Sequence, residues 1–260
     1  MRGNAIIASP LNTSARSISQ RKSPTVEDLD VAKLADYLHL TPDQVSRMAV
    51  QNKIPGRKVA GQWRFNEAEI HHWLEDRIGV CDSEELSRVQ WVLDRAAGEV
   101  TDRPISELCT IDTVEVPLNA RTRGSVIRAM SKLAAGSGLM WDAAAMAEAV
   151  KAREQMHPTA LDSGVALMHP RRPQTSILAD SVIALAVCPS PIPFSDRGQL
   201  TDIFFLICSY DDATHLRILA KLSRMIADDQ FLDELRHAQT SMDAWHVLAA
   251  CEERIDSDHD

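Results

Sequence analysis

Apolar residues recur at helical spacing along most of this chain and give way to unbroken apolar runs at three places in its second half. In the first patterned stretch, DVAKLADYLHL, Val31, Leu34, Ala35 and Leu38 share one helical face behind Asp30 as N-cap. TPDQVSRMAVQN predicts a second helix with Thr41 as N-cap and Pro42 at its first position. IPGRKVAGQWRF reads as a hairpin with Gly61 and Gln62 at its tip. NEAEIHHWLEDRI predicts a third helix, capped by Asn66, with Ile70, Trp73 and Leu74 inward. Together these elements make a small unit over residues 30–79, preceded by a Ser-, Asn- and Arg-rich tail, 1–29, that reads as disordered.

Residues 80–103 read as a connector helix, with Ser83 as its cap and Leu86, Val89, Leu93 and Ala96 in one stripe. That stripe suits packing on its own domain and packing on a partner subunit equally. Residues 104–255 mix the two periods. TVEVPL, GVALMH, SVIALAVC and TDIFFLICSY read as strands, the last two apolar enough to be central. RGSVIRAMSKLAAGSG (ended by Gly136), MWDAAAMAEAVKAREQM, ATHLRILAKLSRMIA, DQFLDELRHAQ and SMDAWHVLAACEERI read as helices, with Thr214 as cap of the third. The expected class is α/β: a small winged helix-turn-helix domain, then a mixed β-sheet covered by helices on both faces. An acidic tail, DSDHD, closes the chain.

At 260 residues and 45% hydrophobic, the chain can bury two cores. A net charge of -9 excludes a bulk polyanion binder, so contact with nucleic acid needs a local basic patch. The five cysteines form no C-x-x-C pair, which argues against a zinc site or a disulfide framework. With no apolar run near 18 residues, the expectation is a cytoplasmic protein without membrane insertion.

A basic patch exists. Two short helices joined by a tight turn are a helix-turn-helix arrangement, and the second exposes Gln44, Ser46 and Arg47. Lys53, Arg57, Lys58 and Arg64 follow without an acidic residue among them. The plainer reading is a solvated hairpin face. However, the run DVAKLADYLHL to the final Trp-Leu resembles the excisionase-type, MerR-like winged helix-turn-helix family over about 45 residues. The resemblance implies that Gln44, Ser46 and Arg47 face DNA, that Arg57, Lys58 and Arg64 belong to a wing, that Trp63 and Trp73 are core, and that a homodimer supplies paired half-sites. The same module sometimes serves as a protein-docking piece.

The second half carries no G-x-S-x-G, P-loop, G-x-G-x-x-G or H-E-x-x-H motif. His169 ends an apolar strand, where α/β sheets place reactive groups. His215 lies at the start of a helix whose N-terminus favours an anion, and Arg153 ends another helix with a guanidinium that suits a phosphoryl group. A lone strand-end histidine is more often structural. REQMHPTALDSGVALMH resembles the active-site segment of type-2 enzyme IIA domains of the phosphoenolpyruvate-dependent phosphotransferase system, the fructose, mannitol and nitrogen-regulatory group. Arg153, Glu154, Thr159, Gly164, Ala166 and His169 match without a gap, and His215 matches the family's second active-site histidine.

The resemblance implies that His169 accepts a phosphoryl group from a histidine phosphocarrier protein, with no metal and no other cofactor. His215 would orient the ring or the phosphoryl oxygens, Arg153 would neutralise charge, and Thr159 would donate a hydroxyl hydrogen bond. A IIB domain or a regulatory protein is the expected further partner. The sequence departs from the family at His157, Ala160 and Asp162, where the family prefers glycine, and at Met168 and Pro170 around the histidine. The expected function is a regulator that couples this IIA-like domain to DNA. The alternatives are a phosphocarrier of sugar uptake whose helix-turn-helix only docks, and a IIA domain that has lost the chemistry and acts by binding.

Overall fold

The computed structural model describes residues 28–38, 40–66, 69–70, 73–74, 103–156, 158–194, 198 and 200–257. The tail up to residue 27, the connector helix up to residue 102, His71, His72, His157 and the last residues lie outside the described residues.

In the N-terminal unit, α1 (Val31–Tyr37) and α2 (Pro42–Val50) form the helix-turn-helix. Asp30 Oδ1 accepts the Lys33 N–H at 2.8 Å, as expected of its cap. Thr41 caps α2 in a full capping box: its hydroxyl accepts the Gln44 N–H, and Gln44 Oε1 accepts the Thr41 N–H. β2 (Arg57–Val59) and β3 (Gln62–Asn66) make the hairpin. Its tip is Ala60–Gly61, both at positive φ, so Gln62 already belongs to the strand. Two consecutive positive φ values give the turn whose twist suits a two-residue hairpin. A further difference lies at β1 (Asp28–Leu29), which pairs with β3, so two residues expected in the tail are part of this sheet. Leu34, Ala35, Leu38, Val45, Ala49, Ile54, Phe65, Ile70 and Leu74 are buried.

The larger unit is a four-stranded mixed sheet in the order β4 (Val114–Glu115), β6 (Val182–Pro193), β7 (Leu200–Cys208), β5 (Val165–Met168). The two apolar strands are central and antiparallel, while β4 and β5 run parallel to their neighbours. Alternation assigns the faces. Val165, Leu167, Ile183, Leu185, Ile203, Phe205 and Ile207 join one core. With them pack α3 (Ile105–Leu108), α6 (Asp212–Ile226), α7 (Asp229–His237) and α8 (Ser241–Ser257). Ala166, Met168, Ala184, Ala186, Phe204 and Leu206 join the other, with α4 (Arg123–Ala135) and α5 (Ala143–Met156). Helices on both faces follow from the unbroken apolar runs Val182–Cys188 and Ile203–Cys208 in the two central strands.

Odd-numbered positions point to the α6 side, and both β5 and β7 continue that parity past their ends to His169 and Ser209. The chain then turns into α6. Asp211, not Thr214, caps this helix: its carboxylate accepts the Thr214 N–H at 2.8 Å and the Thr214 hydroxyl at 2.7 Å. Asp211→Ala is expected to destabilise the domain by about 1 kcal/mol, read as a lower urea midpoint.

Candidate phosphohistidine site

His169 lies at the C-terminal end of β5 and His215 in the first turn of α6. Both are buried, at 3% and 6% exposure, and their ring centroids are 4.8 Å apart, tilted by 57°. His169 Nδ1 lies 2.9 Å from the Leu167 carbonyl oxygen. A carbonyl only accepts, so Nδ1 carries the proton of the neutral ring and Nε2 carries the lone pair. His215 Nδ1 bonds the Ser209 hydroxyl at 3.1 Å. Ser209 is absent from the sequence reading; the turn from β7 into α6 brings its hydroxyl against His215, six residues on. Pro170, Arg171, Arg172, Pro173, Ser209, Asp212 and His215 line a narrow cleft. The two arginines and the α6 N-terminus supply positive potential there, against Asp212.

Arg153 and Glu154 end α5, and both are buried. Thr159 differs from expectation. Its N–H and its hydroxyl both donate to the Glu154 carboxylate, so the hydroxyl is directed to that side chain in place of an incoming phosphoryl group. The segment after it folds back on β5: Leu161 N–H bonds the Val165 carbonyl, Gly164 N–H bonds the Leu161 carbonyl, and Ala160 bridges Ala166. Only Gly164 in this turn has positive φ, at 85°, and a Cβ there would meet Arg236 Nη2 at 3.0 Å and Asp202 Oδ1 at 3.2 Å. Ala160 and Asp162, at the family's glycine positions, sit in ordinary backbone conformations, so those two departures leave the turn intact.

The cysteines expected to be reduced are buried thiols where described. Burial pushes Cys109 and Cys208 up to about 12 and Cys188 and Cys251 up to about 11, which leaves them poor nucleophiles. Cys81 lies outside the described residues.

In the N-terminal unit, Gln44 is exposed, with its Oε1 held in the capping box; Ser46 is half-buried and Arg47 exposed. Arg47 Nε donates to the Asp43 carbonyl at 3.3 Å. Arg57 faces Arg64 directly across the hairpin, and Lys58 faces Trp63, its Nζ 5.2 Å from the ring centroid. Like charges opposite one another destabilise a bare hairpin, so the arrangement suits an anion. Lys53 is exposed, and its carbonyl accepts the Trp73 indole N–H at 2.7 Å. Among the described residues no helix is long and apolar enough to cross a membrane.

The sequence model of the family described as phosphoenolpyruvate-dependent sugar phosphotransferase system, EIIA 2, matches residues 107–251, and that described as helix-turn-helix domain matches residues 29–78. A protein of Bradyrhizobium diazoefficiens named nitrogen regulatory protein is 27% identical over 152 residues, covering 56% of this chain and 95% of its own length. The PTS system 2-O-alpha-mannosyl-D-glycerate-specific EIIABC component of Escherichia coli is 28% identical over 130 residues, 47% of this chain, and the match spans only 19% of that protein. Among solved structures, nitrogen regulatory protein IIA-Ntr from Neisseria meningitidis shares the fold, with a TM-score of 0.50 at 19% identity over 55% of this chain and 98% of that one.

Proposed function

The chain belongs to the EIIA 2 family of the phosphoenolpyruvate-dependent sugar phosphotransferase system, and from that premise we propose that its C-terminal domain accepts a phosphoryl group on His169 and reports that state through the helix-turn-helix domain to DNA. The observation that carries the reading is the pair of buried imidazoles 4.8 Å apart at a strand end and a helix start. The donor is the histidine of a phosphocarrier protein. His169 Nε2 forms a bond to phosphorus as the donor's N–P bond breaks, and the electron pair leaves with the donor imidazole. No cofactor or metal enters this scheme: the work is positioning and charge stabilisation. Arg153 and His215 are the groups proposed to meet the developing charge.

His169 is 3% exposed, so the donor must displace the residues that cover it. That burial also favours a second reading, in which the domain keeps the fold and acts only by binding a regulatory partner or a IIB protein. Incubation with phosphoenolpyruvate and the two general phosphotransferase proteins, read by intact mass, separates the two. One acid-labile phosphoryl group supports the first reading; no label, beside a IIA domain that labels normally, removes it.

For the first domain, we propose that Ser46, Arg47, Lys53, Arg57, Lys58 and Arg64 contact DNA, with Gln44 holding the start of α2, and that a homodimer pairs two half-sites. Arg47→Ala with Lys58→Ala is expected to weaken retention on DNA at least tenfold and to flatten its salt dependence. Unchanged retention would make the module a docking piece.

A further inference from the structure

We propose that Glu154, held by Arg123, is a positioning residue that sets the reactive geometry of His169. This rests on the phosphoryl-acceptor reading above and assigns a role to two side chains that reading does not use. Glu154 is 1% exposed, and a carboxylate so buried must be satisfied. Three groups do so. The Thr159 N–H donates at 3.2 Å, the Thr159 hydroxyl donates, and Arg123 Nη2 lies 3.6 Å from Oε2. Arg123, thirty-one residues earlier in the chain, reaches this carboxylate.

Arg123 is the first residue of α4, where the helix dipole disfavours a cation. Its placement is offset by what it touches: the Glu154 carboxylate, the Glu154 carbonyl at 3.4 Å, and the Phe194 ring with Cζ 5.4 Å from the centroid. The guanidinium thus staples the start of α4 to the end of α5.

From Glu154 the contacts run to the histidine in two steps. Thr159 is fixed to the carboxylate by backbone and side chain together, and its own carbonyl accepts the Leu167 N–H at 3.3 Å. The Leu167 carbonyl in turn accepts His169 Nδ1–H at 2.9 Å, the bond that places the lone pair on Nε2. Loss of the carboxylate charge frees Thr159, loosens the grip on Leu167, and lets the imidazole choose either tautomer. A displacement of a reacting atom by about 1 Å is enough to slow transfer on the order of a hundredfold.

The test compares wild type, Glu154→Gln, Thr159→Val, Arg123→Met and Arg123→Lys in the full chain, with the phosphocarrier as donor. Gln and Val keep the side-chain volume, and the urea midpoint of each variant separates loss of fold from loss of rate. Glu154→Gln and Thr159→Val are expected to lower the limiting phosphorylation rate by about tenfold, with the donor concentration for half-maximal rate unchanged. Arg123→Lys is expected to recover most of what Arg123→Met loses. Nitrogen-15 chemical shifts of the His169 ring supply a readout that needs no reaction: the Nδ1–H tautomer dominates in wild type and mixes with the other in Glu154→Gln. If wild type is labelled and the variants are labelled at its rate, the positioning role is overturned while the acceptor reading stands. If wild type takes no label, the acceptor reading falls, and the tautomer shift then decides the positioning role by itself: a shift upholds it and identical spectra overturn it.

Discussion

His169→Ala is expected to take no phosphoryl group under conditions that label the wild type, and His215→Ala to take it a hundredfold to a thousandfold more slowly. The two effects differ in kind. His169 supplies the lone pair that forms the new bond, and the hydroxyl of Ser209 is already bonded to His215. His215 forms no bond to phosphorus in this scheme. It lies 4.8 Å from His169, in the first turn of a fifteen-residue helix capped by Asp211, and Ser209 holds its Nδ1. The helix N-terminus and this ring together offer donors and positive potential where phosphoryl oxygens would gather. Removing one such preorganised donor from a water-excluding site lowers the rate without lowering affinity for the donor protein. Stopped labelling followed by phosphohistidine-resolving gels measures both. A His169→Ala protein labelled at the wild-type level would move the acceptor elsewhere and sink the assignment.

Lys221→Met is expected to destabilise the C-terminal domain by about 3 kcal/mol. Lys221 Nζ lies 2.9 Å from Glu252 Oε1, and both side chains are buried. Glu252 also receives the Ile105 N–H, the Ser106 N–H and the Ser106 hydroxyl, tying α8 to the short helix that begins the domain. Methionine matches the lysine in length but leaves a carboxylate buried with only neutral donors. The double variant with Glu252→Gln is expected to recover part of the loss, since no unpaired charge then remains.

The same residue sets a pH dependence. Burial by itself would push the Glu252 carboxyl up, but hydrogen bonds from Ser106, Lys221 and Ile105 outweigh it and hold the group below its ordinary value of 4.5. A carboxyl lowered in the folded state contributes stability above its unfolded value, and that contribution is lost as pH falls through the folded one. Wild-type stability is therefore expected to drop below about pH 4.5, and the Glu252→Gln protein to lack that component. Urea unfolding followed by fluorescence reports it, because the Trp245 indole donates to the Cys109 carbonyl within this domain. Parallel pH curves for the two proteins would remove Glu252 as the source.

Much of the fold is legible in the residue pattern because strand and helix periods are local properties. VIALAVC and IFFLIC are apolar at every position, and such strands must be covered twice; the sheet has β6 and β7 at its centre with helices on both faces. Thr41-Pro42 marked the start of α2, and Gly136 the stop of α4. Short-range competition hid other details. Asp211 outcompeted Thr214 as cap because an N-cap needs extended backbone outside the helix, and Thr214 is already helical. At the hairpin tip, positive φ at Ala60 shifted the turn by one residue from the expected pair.

His169 was legible as an imidazole ending an apolar run, and family resemblance supplied its partner His215. Their 4.8 Å approach was not legible, since it depends on β5 and β7 lying parallel with matched parity at their ends. Thr159 shows the limit most plainly. Its place in the motif suggested a hydroxyl aimed at phosphate, yet the hydroxyl meets Glu154 five residues earlier, and Glu154 meets Arg123 thirty-one residues earlier still. By itself, then, the sequence determined which segments are helix or strand, which faces are apolar and which residue types are available for chemistry, because these follow from local backbone preference and from the sign of the transfer free energy. Tertiary structure decided which polar groups meet. A buried carboxylate or hydroxyl bonds whichever partner the packing of distant elements brings within 3 Å or so, and no local rule names that partner in advance.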